Sequence, residues 1–251
     1  AGVAKHENLL FVCAEPHTLI CVNADNGAIL WQQDSPSELM FSAAEMRDWE
    51  QARKQHEVLE RTASELQDVR RKRIEQPHQL ILEAQEQQLS NTVSKIESEL
   101  ATMISPPVAT GHKETGATSP TPVVDVSRKC VYAFFTTGVV TAFDFTGKRL
   151  WVQGLPMAAS KYGHASSPVL TKRRLIISHG PVSALDPDTG QTVWSVKSEV
   201  RMGTPVLTDI NDTSVVITPG GLCLRTADGG LVCDNLPKPE FNSPVVHKGI
   251  A

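Results

Sequence analysis

Hydrophobic positions fall into two patterns along the chain. In residues 1–35 and 119–251 they form short runs such as Leu9–Ala14, Leu175-Ile176-Ile177 and Thr192-Val193-Trp194. Turn-forming Asp, Asn, Thr and Gly residues separate these runs, a texture that predicts pleated strands. Between residues 37 and 103 the texture changes, and the helix formers Glu, Gln, Arg, Lys, Ala and Leu dominate. Leu82, Leu89, Ile96 and Met103 recur every seventh position, with Val93 and Leu100 interleaved. On the earlier side, Trp49, His56 and Ala63 form one such series, and Ala52, Leu59 and Leu66 another. A seven-residue apolar repeat is the coiled-coil spacing. Pro77 interrupts it, with Gln76 restricted before it, so two antiparallel helices with Pro77 at the tip are expected. Ser37 and Ser42 followed by Glu45 are cap signals. At 1.5 Å per residue the first helix would be a projecting arm of roughly 55 Å.

A repeat runs through the strand-rich part. Trp31, Trp151 and Trp194 each close a similar phrase, as in Ala184-Leu185-Asp186-Pro187-Asp188-Thr189-Gly190-Gln191-Thr192-Val193-Trp194. A decayed fourth phrase ends in Cys233 where Trp would stand. A second marker keeps step: Thr121-Pro122-Val123-Val124, Ser167-Pro168-Val169-Leu170, Thr204-Pro205-Val206-Leu207 and Ser243-Pro244-Val245-Val246. Both markers return about every 40 residues, the length of a four-stranded propeller blade. In each phrase the Asp and Thr side chains suit backbone N–H groups of a tight turn, and the Gly suits φ > 0. Asp25, Asp144, Asp186 and Gly27, Gly147, Gly190 are therefore assigned to turns. The Trp residues are assigned to packing between blades, as large apolar plates with one donor each.

The expected fold is an all-β propeller of four-stranded antiparallel blades, forming an incomplete ring, with an inserted α-helical coiled-coil hairpin. Residues 1–35 read as a partial blade lacking its opening strand. Residues 36–104 read as the helical hairpin and 105–118 as a flexible Pro-, Thr-, Gly- and Ser-rich linker. Residues 119–251 read as three blades plus the first strand of a further one, at 241–248. Exposed blade edges are an association hazard, so missing sequence or partner strands are expected to complete the ring. Self-association through those edges or through the arm follows from the same reading.

Composition narrows the function classes. With 40% hydrophobic and 21% charged residues in 251, the chain can build a substantial core. A net charge of -4 argues against a general nucleic-acid binder. No apolar run approaches the ~18 residues of a membrane-spanning helix. Arg70-Arg71-Lys72-Arg73 near the hairpin tip reads as a solvated helix face balanced by Glu65, Asp68 and Glu75, in preference to a contact for an acidic partner or anionic lipid. The eight His show no metal-type spacing. No Gly-rich phosphate loop and no Gly-x-Ser-x-Gly elbow is present. Of five Cys, Cys13 with Cys21 and Cys223 with Cys233 fall on strands that can be hairpin neighbours; disulfides and free buried thiols both fit.

The Ala-x-Asp-x-x-Thr-Gly-x-x-x-Trp phrase resembles the repeat of quinoprotein-like (PQQ-like) β-propellers. That family includes quinoprotein alcohol dehydrogenases and non-catalytic bacterial propellers such as the lipoprotein of the outer-membrane β-barrel assembly machinery. Tyr162-Gly163-His164-Ala165-Ser166-Ser167-Pro168-Val169-Leu170 also resembles blade openings of secreted bacterial members. The resemblance covers everything outside the insertion. It implies a propeller in a periplasmic or secreted setting. For the dehydrogenases it implies PQQ over the centre of the disc, with Ca²⁺, a catalytic Asp and a disulfide between adjacent Cys. This sequence has no adjacent Cys pair, and Asp25, Asp144 and Asp186 are accounted for by turns. No catalytic residue and no metal ligand is therefore assigned.

The segments that open the innermost strands would surround the central axis, where Tyr162, His164, Arg201 and Asn242 can converge as a binding set. Arg201 is suited to a bidentate carboxylate contact. The expected function is a non-catalytic scaffold or binding module for a protein or polysaccharide, without a cofactor, with the helical arm as a second interaction surface. The alternative is a PQQ- and Ca²⁺-dependent dehydrogenase.

Overall fold

The structure, a computed structural model, describes residues 2–76, 79–102, 115–158 and 160–246. The strand-rich sequence forms four sheets, each of four consecutive antiparallel strands. Blade A consists of β1 (Val3–His6), β2 (Leu9–Ala14), β3 (Thr18–Asn23) and β4 (Ile29–Asp34). Blade B consists of β5 (Val123–Asp125), β6 (Cys130–Phe134), β7 (Val139–Asp144) and β8 (Arg149–Gly154). Blade C consists of β9 (Val169–Leu170), β10 (Leu175–Ser178), β11 (Val182–Leu185) and β12 (Thr192–Val196). Blade D consists of β13 (Val206–Ile210), β14 (Thr213–Ile217), β15 (Cys223–Arg225) and β16 (Leu231–Cys233). This is an incomplete β-propeller.

Central strands are buried on both faces, so they read as unbroken apolar runs rather than alternating ones. In blade B, Val131, Ala133 and Phe135 pack against Phe11, Cys13, Leu19 and Cys21 of blade A. The intervening Cys130, Tyr132 and Phe134 pack against Leu175, Ile177 and Leu185 of blade C. Ile176, Val182 and Ala184 of blade C then meet Val216 and Leu224 of blade D. Two-residue periodicity thus sends alternate side chains into alternate inter-blade layers. The far face of blade D carries Val215, Ile217 and Cys223, packed among the described residues with Val206, Cys233, Leu236 and Val246.

Two repeated hydrogen bonds fix blade against blade. At the outer strands, Trp31 Nε1 donates to the Phe145 carbonyl at 3.0 Å, Trp151 Nε1 to Pro187 at 2.9 Å and Trp194 Nε1 to Thr226 at 3.1 Å. Each acceptor lies in the tight turn of the next blade. At the inner strands, the backbone N–H of Thr121 donates to Ser167 Oγ, that of Ser167 to Thr204 Oγ1, and that of Thr204 to Ser243 Oγ. The Ser or Thr before each Pro-Val is therefore an acceptor that ties one inner strand to its predecessor. A buried N–H left without such a partner would cost about 1–3 kcal/mol.

The turn glycines are the seats of the tryptophans. A Cβ on Gly147 would stand 2.8 Å from the Trp31 ring, and one on Gly229 2.8 Å from Trp194. At Gly190 it would stand 2.5 Å from Trp151. Gly27 occupies the same turn in blade A, with φ 74°, but has nothing within 4 Å.

Residues 1–35 form a complete four-stranded blade, which corrects the expectation of a partial one. Its opening strand β1 lacks the Pro-Val marker, and Gly2 stands beside the Thr121 hydroxyl so closely that no Cβ would fit. Residues 242–246 carry no strand ladder, although Ser243 makes the same inner contact as its counterparts; residues 247–251 lie outside the described residues. A 3₁₀ turn at Ser37–Met40 packs with the propeller, where Met40 lies against Gly154 of β8. The end of the expected flexible linker is anchored: Glu15 Oε1 accepts from Ala117 N, Thr118 N and Thr118 Oγ1 at 2.7–3.0 Å.

Residues 41–108 form a second unit. Its helices are α1 (Ala43–Glu75) and α2 (Leu80–Thr102), and α1 begins with a capping box between Ser42 and Glu45. Ala52 packs with Ile96 and Leu100, while Arg70 and Arg73 both reach Glu86, so the helices run antiparallel. On α1 the covered positions include Ala52, Leu59 and Leu66, as the sequence implied, together with Thr62 and Val69. Of the expected series Trp49, His56 and Ala63, the first and last are half-buried, but His56 is exposed. Polar Thr62 holds its place by donating to the Val58 carbonyl, which hid the true register from an apolar count. Arg71 pairs with Asp68, so three of the four clustered cations have carboxylate partners. Pro77 and Met103 lie outside the described residues.

Alanine substitution at two equivalent turns separates backbone strain from seating. Gly27→Ala is expected to lose about 1–2 kcal/mol of stability, the cost of a left-handed backbone for a residue with a Cβ. Gly190→Ala carries that cost and a collision with Trp151, so its denaturation midpoint should fall at least twice as far. Equal losses in equilibrium urea unfolding would contradict the seating role.

Candidate functional site

The turn residues come first, because they decide which polar groups remain free. Asp144 Oδ1 accepts from Thr146 N, Thr146 Oγ1 and Lys148 N at 2.6–3.0 Å. Burial pushes the Asp144 carboxyl up, but these hydrogen bonds outweigh it and hold it below the usual carboxylate range. Asp186 Oδ1 accepts from Asp188 N, Thr189 N and Thr189 Oγ1. In blade A the same position is held by Asn23, whose Oδ1 accepts from Asp25 N at 2.8 Å. Asp25 thus stands two residues past the equivalent of Asp144 and Asp186. In blade D the position is Arg225, paired with Asp228.

The four residues expected at the inner-strand openings divide into two environments. His164 is buried, and its Nε2 bonds the Ala158 carbonyl at 2.9 Å, so it faces the interior. Tyr162 stays at the surface, 37% exposed, with its ring 5.6 Å from Phe241 and tilted by 59°. Phe241 is 61% exposed, and the Lys161 ammonium lies 5.1 Å from the Tyr162 ring. Arg201 reaches Glu240 Oε2 through Nη1 at 2.7 Å and Glu199 Oε2 through Nη2 at 2.6 Å. The backbone carbonyl of Asn242 lies so close to Gly203 that no Cβ would fit there. Segment 240–242 therefore brings Tyr162, Arg201 and Asn242 into one neighbourhood, through Phe241, Glu240 and the chain itself.

Chemically this neighbourhood is a surface rather than a reaction chamber. Arg201 spends both terminal nitrogens on protein carboxylates, so a bidentate clamp on a ligand would first have to break two charge-assisted bonds. Beside it a cavity of about 220 Å³ is lined by Lys197, Ser198, Glu199, Gly220, Leu222 and Lys238. Among the described residues no group of three or more His, Cys, Asp or Glu is placed to hold a metal ion. Ca²⁺ requires six to eight oxygen ligands, several of them carboxylate.

Two polar arrangements have no motif in the sequence. Arg128 binds Asp125 Oδ2 at 2.9 Å and Asp188 Oδ1 at 2.7 Å, which joins blade B to the turn of blade C. His179 is fully buried between the Pro156 carbonyl on Nδ1 and Ser183 Oγ on Nε2, both at 2.9 Å. Because a carbonyl only accepts, Nδ1 carries the proton and Nε2 accepts from Ser183. Ser183 Oγ lies 3.0 Å from Ser195 Oγ. A hydroxyl on an oriented imidazole is a nucleophile-and-base arrangement, but Ser183 is only 2% exposed and admits no substrate. The relay is a packing element. No sequence spacing signals it, because its members come from a loop and two strands.

Burial pulls the His179 imidazole from 6.5 down to about 4, against the opposing bond to Pro156. A group with a depressed folded value stabilises the neutral folded state above the unfolded value, and that stability is lost as pH falls from about 6.5 towards 4. Urea unfolding across this window should show stability declining on acidification, with a shallower decline in His179→Gln between pH 6.5 and 5. Identical slopes in the two proteins would contradict the assignment.

No family model matches the chain, and no curated protein sequence matches it. Among solved structures it is similar to BamB from Moraxella catarrhalis, at 13% identity and a TM-score of 0.49, over 92% of this chain and 46% of that one. It is also similar to a europium-containing methanol dehydrogenase, at 12% identity and a TM-score of 0.48, over 92% of this chain and 40% of that one. The chain thus spans less than half the length of either structure.

Proposed function

We propose that the protein is a non-catalytic β-propeller binding module. Its contact surface is the neighbourhood of Tyr162, Phe241, Lys161 and the Arg201–Glu240 pair. The observation that carries this reading is the exposed Tyr162–Phe241 ring pair beside the ion pair of Arg201 and Glu240. Exposed aromatic rings cost little conformational entropy on ordering and are common anchors of protein interfaces. The same rings can stack on sugar faces, so the partner is a protein or a polysaccharide. The helical hairpin, with Ile74, Leu80 and Ile81 exposed near the ends of its helices, is the second interaction surface of this reading. A periodic repeat of secreted type supports work in the periplasm or outside the cell.

The test compares the wild-type protein with Tyr162→Ala/Phe241→Ala for retention of purified candidate proteins and polysaccharides on a sensor surface. The double variant is expected to bind at least tenfold more weakly while its unfolding midpoint stays unchanged. Equal binding by both proteins would remove the contact surface from these residues. Dye reduction dependent on added PQQ and Ca²⁺ would overturn the non-catalytic reading.

A further inference from the structure

In every blade the third and fourth strands pair in the same irregular register. The ladder shifts after Cys21, opposite Trp31, after Ala142, opposite Trp151, and after Ala184, opposite Trp194. In blade D it shifts after Cys223, and the residue opposite is Cys233. The position that elsewhere holds a small residue facing an indole here holds two thiols facing each other. Directly opposed residues of an antiparallel pair project to the same face, with Cα atoms about 4.5–5.5 Å apart. That separation falls within the roughly 4.4–6.8 Å range spanned by disulfides. Both side chains belong to the apolar layer on the far face of blade D, with Ile217, Leu236 and Val246. Cys223 is buried, whereas Cys233 is half-buried and borders a cavity of about 110 Å³.

We propose that Cys223 and Cys233 form a cross-strand redox pair, oxidised to an intramolecular disulfide by a low-molecular-weight disulfide. The Cys233 thiolate attacks one sulfur of the reagent and releases the first thiolate, leaving a mixed disulfide on Cys233. The Cys223 thiolate then attacks the Cys233 sulfur and releases the second. Two protein thiols lose two protons and two electrons, and the reagent leaves as two thiols. Burial and the neighbouring Cys233 push the Cys223 thiol up, so the second step quickens with rising pH.

The other cysteines lack this arrangement. Cys13 pairs with Leu19, and Cys21 with Phe11, so the two thiols are diagonal rather than opposed. Both are buried, and burial pushes the Cys13 thiol up to about 12. Cys130 is buried in the layer between blades B and C.

The test treats the full chain with oxidised glutathione at pH 8, quenches with acid, alkylates the unfolded protein and maps its peptides without reduction. The expected result is one peptide pair joined through Cys223 and Cys233, with Cys13, Cys21 and Cys130 alkylated. In Cys223→Ser the reaction should stop at a glutathione adduct on Cys233. Three outcomes would overturn the proposal: both thiols alkylated in the oxidised wild type, Cys233 joined only to a second copy of the chain, or no adduct on Cys233 in the variant.

Discussion

One indole, pressed on the turn of the next blade, sets the spacing of this propeller. The contact needs three things at once. The ring supplies an apolar plate and one donor, the turn presents a carbonyl toward it, and a glycine leaves the face of the turn bare. Trp31, Trp151 and Trp194 meet that description, with Nε1–O distances of 2.9–3.1 Å. Because an indole is wide, the seat fixes both the distance and the tilt between sheets. The layers inside then fill with Phe11, Phe135, Tyr132, Leu185 and their neighbours. The Ser and Thr hydroxyls before each Pro-Val tie the inner strands together in the same way.

Blades A and D each lack part of this contact. The turn of blade A is built like the others, yet among the described residues nothing lies within 4 Å of where a Gly27 Cβ would stand. Blade D carries Cys233 at the tryptophan position, and among the described residues its far face meets Leu236 and Val246 of the segment after β16. A covalent bond across β15 and β16 would act at that place.

Function follows from which polar groups remain after the fold has used its share. Asp144 and Asp186 are consumed by turns, Arg128 by two aspartates, His179 by a carbonyl and a serine, and Arg201 by two glutamates. What is left at the strand openings is the exposed Tyr162–Phe241 ring pair with charge around it.

The blade period, the turn chemistry and the two-helix insertion were legible in the sequence, because each rests on local spacing. A glycine at φ > 0, an Asp or Asn binding N–H groups two or three residues on, and apolar residues every seven positions need no distant partner. The Pro-Val markers also aligned the segments that carry Tyr162, Arg201 and Asn242. The sequence did not reveal that Arg201 is already paired, that His164 turns inward, or that Asn23 rather than Asp25 caps its turn. Nor did it show that Val3–His6 completes blade A, or that Thr62 lies in the helical seam. Each of these depends on residues far apart in the chain or on a polar group satisfied by its own backbone. Local hydrogen bonding and periodicity are written in neighbouring residues. Which charges are spent, and which thiols face each other, is decided only when the sheets come together.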